Sequence, residues 1–161
     1  MYIRRNISNN LRRSQGFTLV ELLVVTGILG IIVLGLIQSL ILSSILADLS
    51  SRKTIAVSEA QDKIEEILNH NFDDIVADYA SGGTPGNTFA LSQITGMGVV
   101  TAAVYTANVV QVDVVVSFQL SNGRIIGEDT DLDGVLDGGE DANSNGVLDS
   151  QVKLSTYIRK G

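Results

Sequence analysis

From Leu22 to Ala47 the chain runs for 26 residues without one charged side chain. As a helix rising 1.5 Å per residue, that stretch reaches roughly 39 Å, enough to cross a hydrocarbon core of about 30 Å with some tilt. A helix that is apolar on every side must be covered by lipid or by other helices. Arg4, Arg5, Arg12 and Arg13 precede the stretch, whereas only Arg52 and Lys53 come soon after it. The positive-inside rule then leaves the amino end in the cytoplasm and exports the carboxyl body. The apolar run is about twice a secretory h-region and ends at Ile45-Leu46-Ala47-Asp48, a poor small-x-small site, so cleavage beyond it is not expected.

Past Asp48 the pattern changes. Ile55, Ala56, Ala60, Ile64, Ile67, Leu68, Phe72, Ile75, Val76 and Tyr79 recur at helical spacing, with Glu59, Asp62, Glu65 and Glu66 on other faces. This amphipathic helix should stop by Gly82 and Gly83, or earlier at Asn69-His70-Asn71, with Asp73 as a possible new cap. Residues 81–98 read as a surface loop, and 99–106 and 109–120 as β-rich runs. Ser121-Asn122-Gly123 turns the chain toward residues 124–127, and residues 152–159 form a final strand. The expected fold class is α+β, a long amino-terminal helix packed on a small antiparallel sheet. The expected organisation is a basic leader over 1–16, a membrane helix over 17–47, an amphipathic helix over 48–80 and a β head over 81–161 with an insert at 128–150.

Composition narrows the chemistry. The chain has no cysteine and one histidine, which removes thiol catalysis, a disulfide framework, a Cys-rich zinc site and a Ser-His-Asp triad with a spare histidine. No phosphate loop or nucleophile constellation occurs, so an enzyme is not expected. Net charge is −7, and because residues 1–16 hold four arginines and no acid, the remainder sets 7 basic against 18 acidic side chains. Such a body repels nucleic acid and attracts cations.

The most specific local string is Gly16-Phe17-Thr18-Leu19-Val20-Glu21-Leu22-Leu23. A lone carboxylate inside an apolar helix costs of the order of 2–3 kcal/mol at mid-membrane and less near the interface, so Glu21 calls for compensation. The string resembles the class III signal of type IV prepilins and type II secretion pseudopilins. That resemblance implies cleavage by prepilin peptidase between Gly16 and Phe17, methylation of the new amino terminus and a leader left in the cytoplasm. It further implies that Glu21 meets the Phe17 amine of a neighbouring subunit as helices bundle, a register device rather than a catalyst. Gln38 stands where many major pilins carry a kinking proline, and their carboxyl-terminal cysteine pair is missing. Residues 58–67 and 152–158 are more similar to the minor pilin V and pseudopilin I branch. The implied protein is a structural subunit of a type IV pilus or type II secretion pseudopilus. It would rest as a single-pass protein in the bacterial inner membrane and then pass into the filament, with other pilin or pseudopilin subunits as partners through the helix. A bitopic membrane-anchored calcium-binding module that never polymerises keeps the same helix and insert. A soluble secreted protein would need a terminus near Asp48.

The insert carries eight acids and no base between Glu128 and Ser150. Asp129, Asp131, Asp133, Gly134, Val135, Asp137 and Glu140 fill positions 1, 3, 5, 6, 7, 9 and 12 of a calcium loop, with Val135 offering its carbonyl. Calcium takes 6–8 oxygens at about 2.3–2.6 Å, which alternating short carboxylates can supply around the turn that glycine permits. Twelve residues on, Asp141, Asn143, Asn145, Gly146, Val147 and Asp149 repeat the pattern, but position 12 is Val152, which cannot ligate. The second loop should therefore bind Ca2+ more weakly unless Glu140 or another group completes it. The loops abut without flanking helices and are similar to the tandem loops of thrombospondin type 3 and dockerin repeats, a staple rather than a switch. Without calcium the mutual repulsion of the first loop's five carboxylates should leave the insert disordered.

Remaining candidates read as structural. His70 fits a helix-end role beside Asp73 and Asp74, and Tyr79, Tyr105 and Tyr157 fit packing roles. Gly27, Gly30 and Gly35 could allow close helix approach. Asn87-Thr88-Phe89 lacks the hydroxyl residue of a glycosylation acceptor.

Overall fold

The computed structural model describes residues 16–161; apart from Gly16, the basic leader lies outside the described residues. Helix α1 spans Leu19–Leu68 and is continuous through Gln38, and α2 spans Ile75–Asp78. Five strands complete the chain: β1 Thr88–Ala90, β2 Gly96–Thr106, β3 Val109–Gln119, β4 Ile125–Ile126 and β5 Val152–Arg159. The architecture is α+β, a long apolar helix packed on a small antiparallel sheet. The chain divides into two compact units, Met1–Ser43 and Ser44–Gly161.

In the first unit α1 begins where the sequence supplies a cap. The Thr18 hydroxyl accepts the Glu21 N–H at 3.2 Å, and the Leu22 N–H bonds the Thr18 carbonyl at 3.1 Å. Threonine at the N-cap with glutamate three residues on is half of a capping box, and a carboxylate in the first turn also suits the helix dipole. Every residue from Gly16 to Ser43 is exposed in the isolated chain, and the helix is long and apolar enough to cross a membrane.

In the second unit β3 is the central strand. It pairs antiparallel with β2 along its length on one side, and with β5 and the short β4 on the other. The β2–β3 hairpin register runs from Gly96 opposite Phe118 to Thr106 opposite Val109, with a shift between Val104 and Thr106. One sheet face supplies Val100, Val112, Val114, Val116, Phe118, Val152 and Ile158 to a core that includes Ala56, Ala60 and Ile67 of α1. Ala56 and Ala60 are completely buried on the helix side of this core.

Several expectations change. The helix takes the earlier of the two anticipated stops, at Leu68, and residues 81–98 hold the short edge strand β1 and the first three residues of β2 as well as loop. Glu59 leaves the polar faces: it is nearly buried between Ala56 and Ala60 and accepts the Ser92 N–H at 2.7 Å, the Ser92 hydroxyl and the Gln93 N–H. Three donors from one loop offset the cost of burying that carboxylate. His70 pairs with Asp78 at 2.7 Å rather than with Asp73 or Asp74. Tyr79 is a core residue, but Tyr105 and Tyr157 are exposed and meet edge to face at 5.2 Å.

Candidate functional site

The insert between β4 and β5 has no regular secondary structure, and its shape is set by its own side chains. Its neck is closed where the Glu128 N–H donates to the Asp149 carbonyl at 2.9 Å, and the Ser150 hydroxyl fastens its exit to the Val116 carbonyl of β3. Within the first loop Asp129 accepts the N–H groups of Asp133 and Gly134 at 3.2 and 3.0 Å, Asp131 accepts that of Asp133, and Asp133 accepts that of Val135. The second loop repeats each bond: Asp141 accepts from Asn145 and Gly146, Asn143 from Asn145, and Asn145 from Val147. The backbone repeats too, with φ of 62° and 79° at Leu132 and Gly134 against 58° and 78° at Ser144 and Gly146. Left-handed φ at the sixth position explains why both loops place glycine there.

Carboxylate oxygens of Asp129, Asp131 and Asp133 lie within 4.8 Å of one another. That is the span open to oxygens sharing one calcium ion. Asp129 is 1 % exposed. Its burial, opposed by the Gly134 and Asp133 N–H groups and reinforced by the nearby Glu140 charge, pushes its carboxyl above the usual range. Glu140 is also buried, but N–H and hydroxyl bonds from Thr130 hold its carboxyl below the usual range.

The closing acid of the second loop is where the structure adds a residue. Glu140 Oε1 accepts the Thr130 N–H at 2.6 Å and its Oε2 accepts the Asp137 N–H at 3.1 Å, that is, from positions 2 and 9 of the first loop. Glu128 Oε1 accepts the Ala142 N–H at 3.2 Å and its Oε2 accepts the Asp149 N–H at 2.9 Å, from positions 2 and 9 of the second loop. Glu128 therefore stands to the second loop as Glu140 stands to the first, and each acid immediately precedes the other loop's first position. Val152, at the formal twelfth position, is instead buried as the first residue of β5. The signal was present in the sequence: the twelve-residue repeat begins one residue before Asp129, with Glu128-Asp129 matching Glu140-Asp141. The arrangement brings together Asp129, Asp131 and Asp133 in the first loop, while Glu140 is turned to the Thr130 and Asp137 N–H groups and neither it nor Asp137 joins that cluster. In the other, Asn143 and Asn145 donate to Asp149 at 2.9 and 2.7 Å, so these three ligand candidates are hydrogen-bonded to one another.

At the amino end the structure shows Gly16 and Phe17 exposed ahead of the Thr18 cap, with Glu21 in the first turn of α1. The Gly16–Phe17 bond thus lies in non-helical chain. A family model described as a prokaryotic N-terminal methylation motif matches residues 11–37. No curated protein and no solved structure matches the chain. The motif is a feature of structural proteins rather than enzymes. Its match, together with the apolar helix, supports a type IV pilin-like class III signal, and with it a membrane-anchored pilin- or pseudopilin-type precursor processed by a prepilin peptidase and assembled with other pilins.

Proposed function

We propose that the chain is a minor pilin or pseudopilin subunit, cut between Gly16 and Phe17, methylated at Phe17 and drawn from the inner membrane into a pilus or secretion pseudopilus. The match over residues 11–37 carries this reading, and the capped helix start two residues beyond the scissile bond supports it. Cleavage there keeps the whole apolar helix and creates an α-ammonium group. In a bundle, that cation and the Glu21 carboxylate of a neighbour neutralise each other while apolar surface leaves lipid for protein contacts. Mass spectrometry of the native protein tests the reading. A methylated Phe17 terminus is expected, whereas an intact Met1 would favour the non-polymerising bitopic anchor.

In the same reading the insert is a calcium-held staple in the exported head, taking the place of a disulfide. Asp129, Asp131, Asp133, the Val135 carbonyl, Asp137 and Glu140 would hold one ion. Asp141, Asn143, Asn145, the Val147 carbonyl and Asp149 would hold a second, with Glu128 supplying the missing closing carboxylate. When bound, calcium would offset the repulsion among these acids and the burial cost of Asp129. Thermal melting of the full chain in detergent micelles should show a higher midpoint in millimolar calcium than in chelator. An Asp133→Ala variant should lose that shift.

A further inference from the structure

The two faces of the sheet are covered by different parts of the chain. Along β3, buried and half-buried residues alternate from Val110 to Asp113, as expected for one face packed on α1 and the other open. The alternation then fails: Val115 is 7 % exposed and Ser117 2 %, although both point away from the core face. In β2 the same face is half-buried at Met97 and Val99 and open from Thr101 onward. What lies over the covered end is the acidic insert. Its two loops put leucine at the same eighth position, Leu136 and Leu148, and both line a cleft of about 180 Å³ with Val147 on one side and Val99, Thr101 and Val115 on the other. Leu148 is 8 % exposed. Gly134, the sixth residue of the first loop, lies so close to the sheet that an added Cβ would stand 2.6 Å from Thr88 Cγ2 and 3.3 Å from Met97 Cγ.

We infer that the insert is an ion-fastened cover on this second sheet face, and that calcium occupancy and the seating of Leu136 and Leu148 form one coupled equilibrium. The cover rests on the proposed calcium binding and adds to it what the ion controls. Without a cation, repulsion among the loop acids works against holding both leucines over the sheet, and loops detached from the sheet lose the apolar burial that helps shape the site. Thermodynamic linkage makes the effect reciprocal: ion binding favours seating, and seating tightens ion binding.

Met97 provides the readout, because beyond the leader it is the only methionine in the chain. The full chain in detergent micelles is exposed to peroxide in calcium chloride or in chelator. Met97 sulfoxide is monitored by mass spectrometry, and ion binding by calorimetry on the same sample. Oxidation depends on exposure, so a several-fold slower reaction in calcium is expected, with no such difference in Asp133→Ala. A Leu136→Ser/Leu148→Ser variant should keep its helix and sheet by circular dichroism yet bind calcium about tenfold more weakly, since apolar burial no longer contributes. Calcium binding with Met97 oxidised equally in both media, or unchanged affinity in the double variant, would overturn the cover while leaving the ion site standing. Absence of calcium binding would overturn both.

Discussion

Four carboxylates, Asp48, Glu128, Glu140 and Glu21, show how one chemical group is turned to different ends by its neighbours. Asp48 accepts the Ser121 N–H at 2.9 Å, the Arg52 guanidinium at 2.8 Å and the Ser121 hydroxyl at 2.8 Å, which fastens α1 to the turn after β3. The Ser121 N–H first, then Arg52 and the Ser121 hydroxyl, lower its carboxyl from 3.8 to about 2. A lowered pKa means the contribution is complete above the unfolded value and is lost as pH falls through the folded one. Melts of the full chain between pH 5 and pH 2 should therefore lose part of their acid dependence in Asp48→Asn. Glu128 and Glu140 give a second test. If each closes the other's loop, Glu128→Gln should weaken the second ion and spare the first, and Glu140→Gln the reverse, seen by calorimetry as loss of different binding steps. Glu21 lies in the first turn of α1. Glu21→Val should leave the exported head folded yet abolish or sharply reduce fibres, and normal fibres would remove its register role.

At the scale of elements, the interface between α1 and β3 decides stability. Phe118 is completely buried at the β3 end of the core, so Phe118→Ala should cost about 3–5 kcal/mol, measured by denaturant unfolding in micelles. The small residues Ala56 and Ala60 leave no room for growth; Ala60→Leu should cost about 1–3 kcal/mol through overpacking. A helix residue on the solvent side, such as Glu65, should tolerate either change with little effect.

For the whole molecule, the two compact units answer to different solvents. Residues 22–43 carry no charge and are exposed on every side among the described residues, whereas the Ser44–Gly161 unit has its own core and polar exterior. That division matches a precursor that resides in a bilayer and then assembles through its helix. The head is strongly acidic, so if the insert takes up calcium as proposed, the ion would also lower charge repulsion between neighbouring subunits; assembly should then weaken in chelator, checked by sedimentation of fibres.

Sequence alone determined the features that depend on local order. The uncharged length of 22–47, the class III string ending in Glu21, the strand alternation of 152–159 and the two loop patterns are all written in consecutive residues. Tertiary structure decided what depends on residues far apart. Only packing shows that Glu59 is a buried anchor for Ser92 and Gln93, that Asp48 grips Ser121, and that the insert lies over Val115. Glu128 sits between these cases: the repeat contains it, but its partners Ala142 and Asp149 are fixed only when the neck of the insert closes. A linear pattern records what each residue can do, while the choice among partners is made by the backbone that brings distant donors within hydrogen-bond reach.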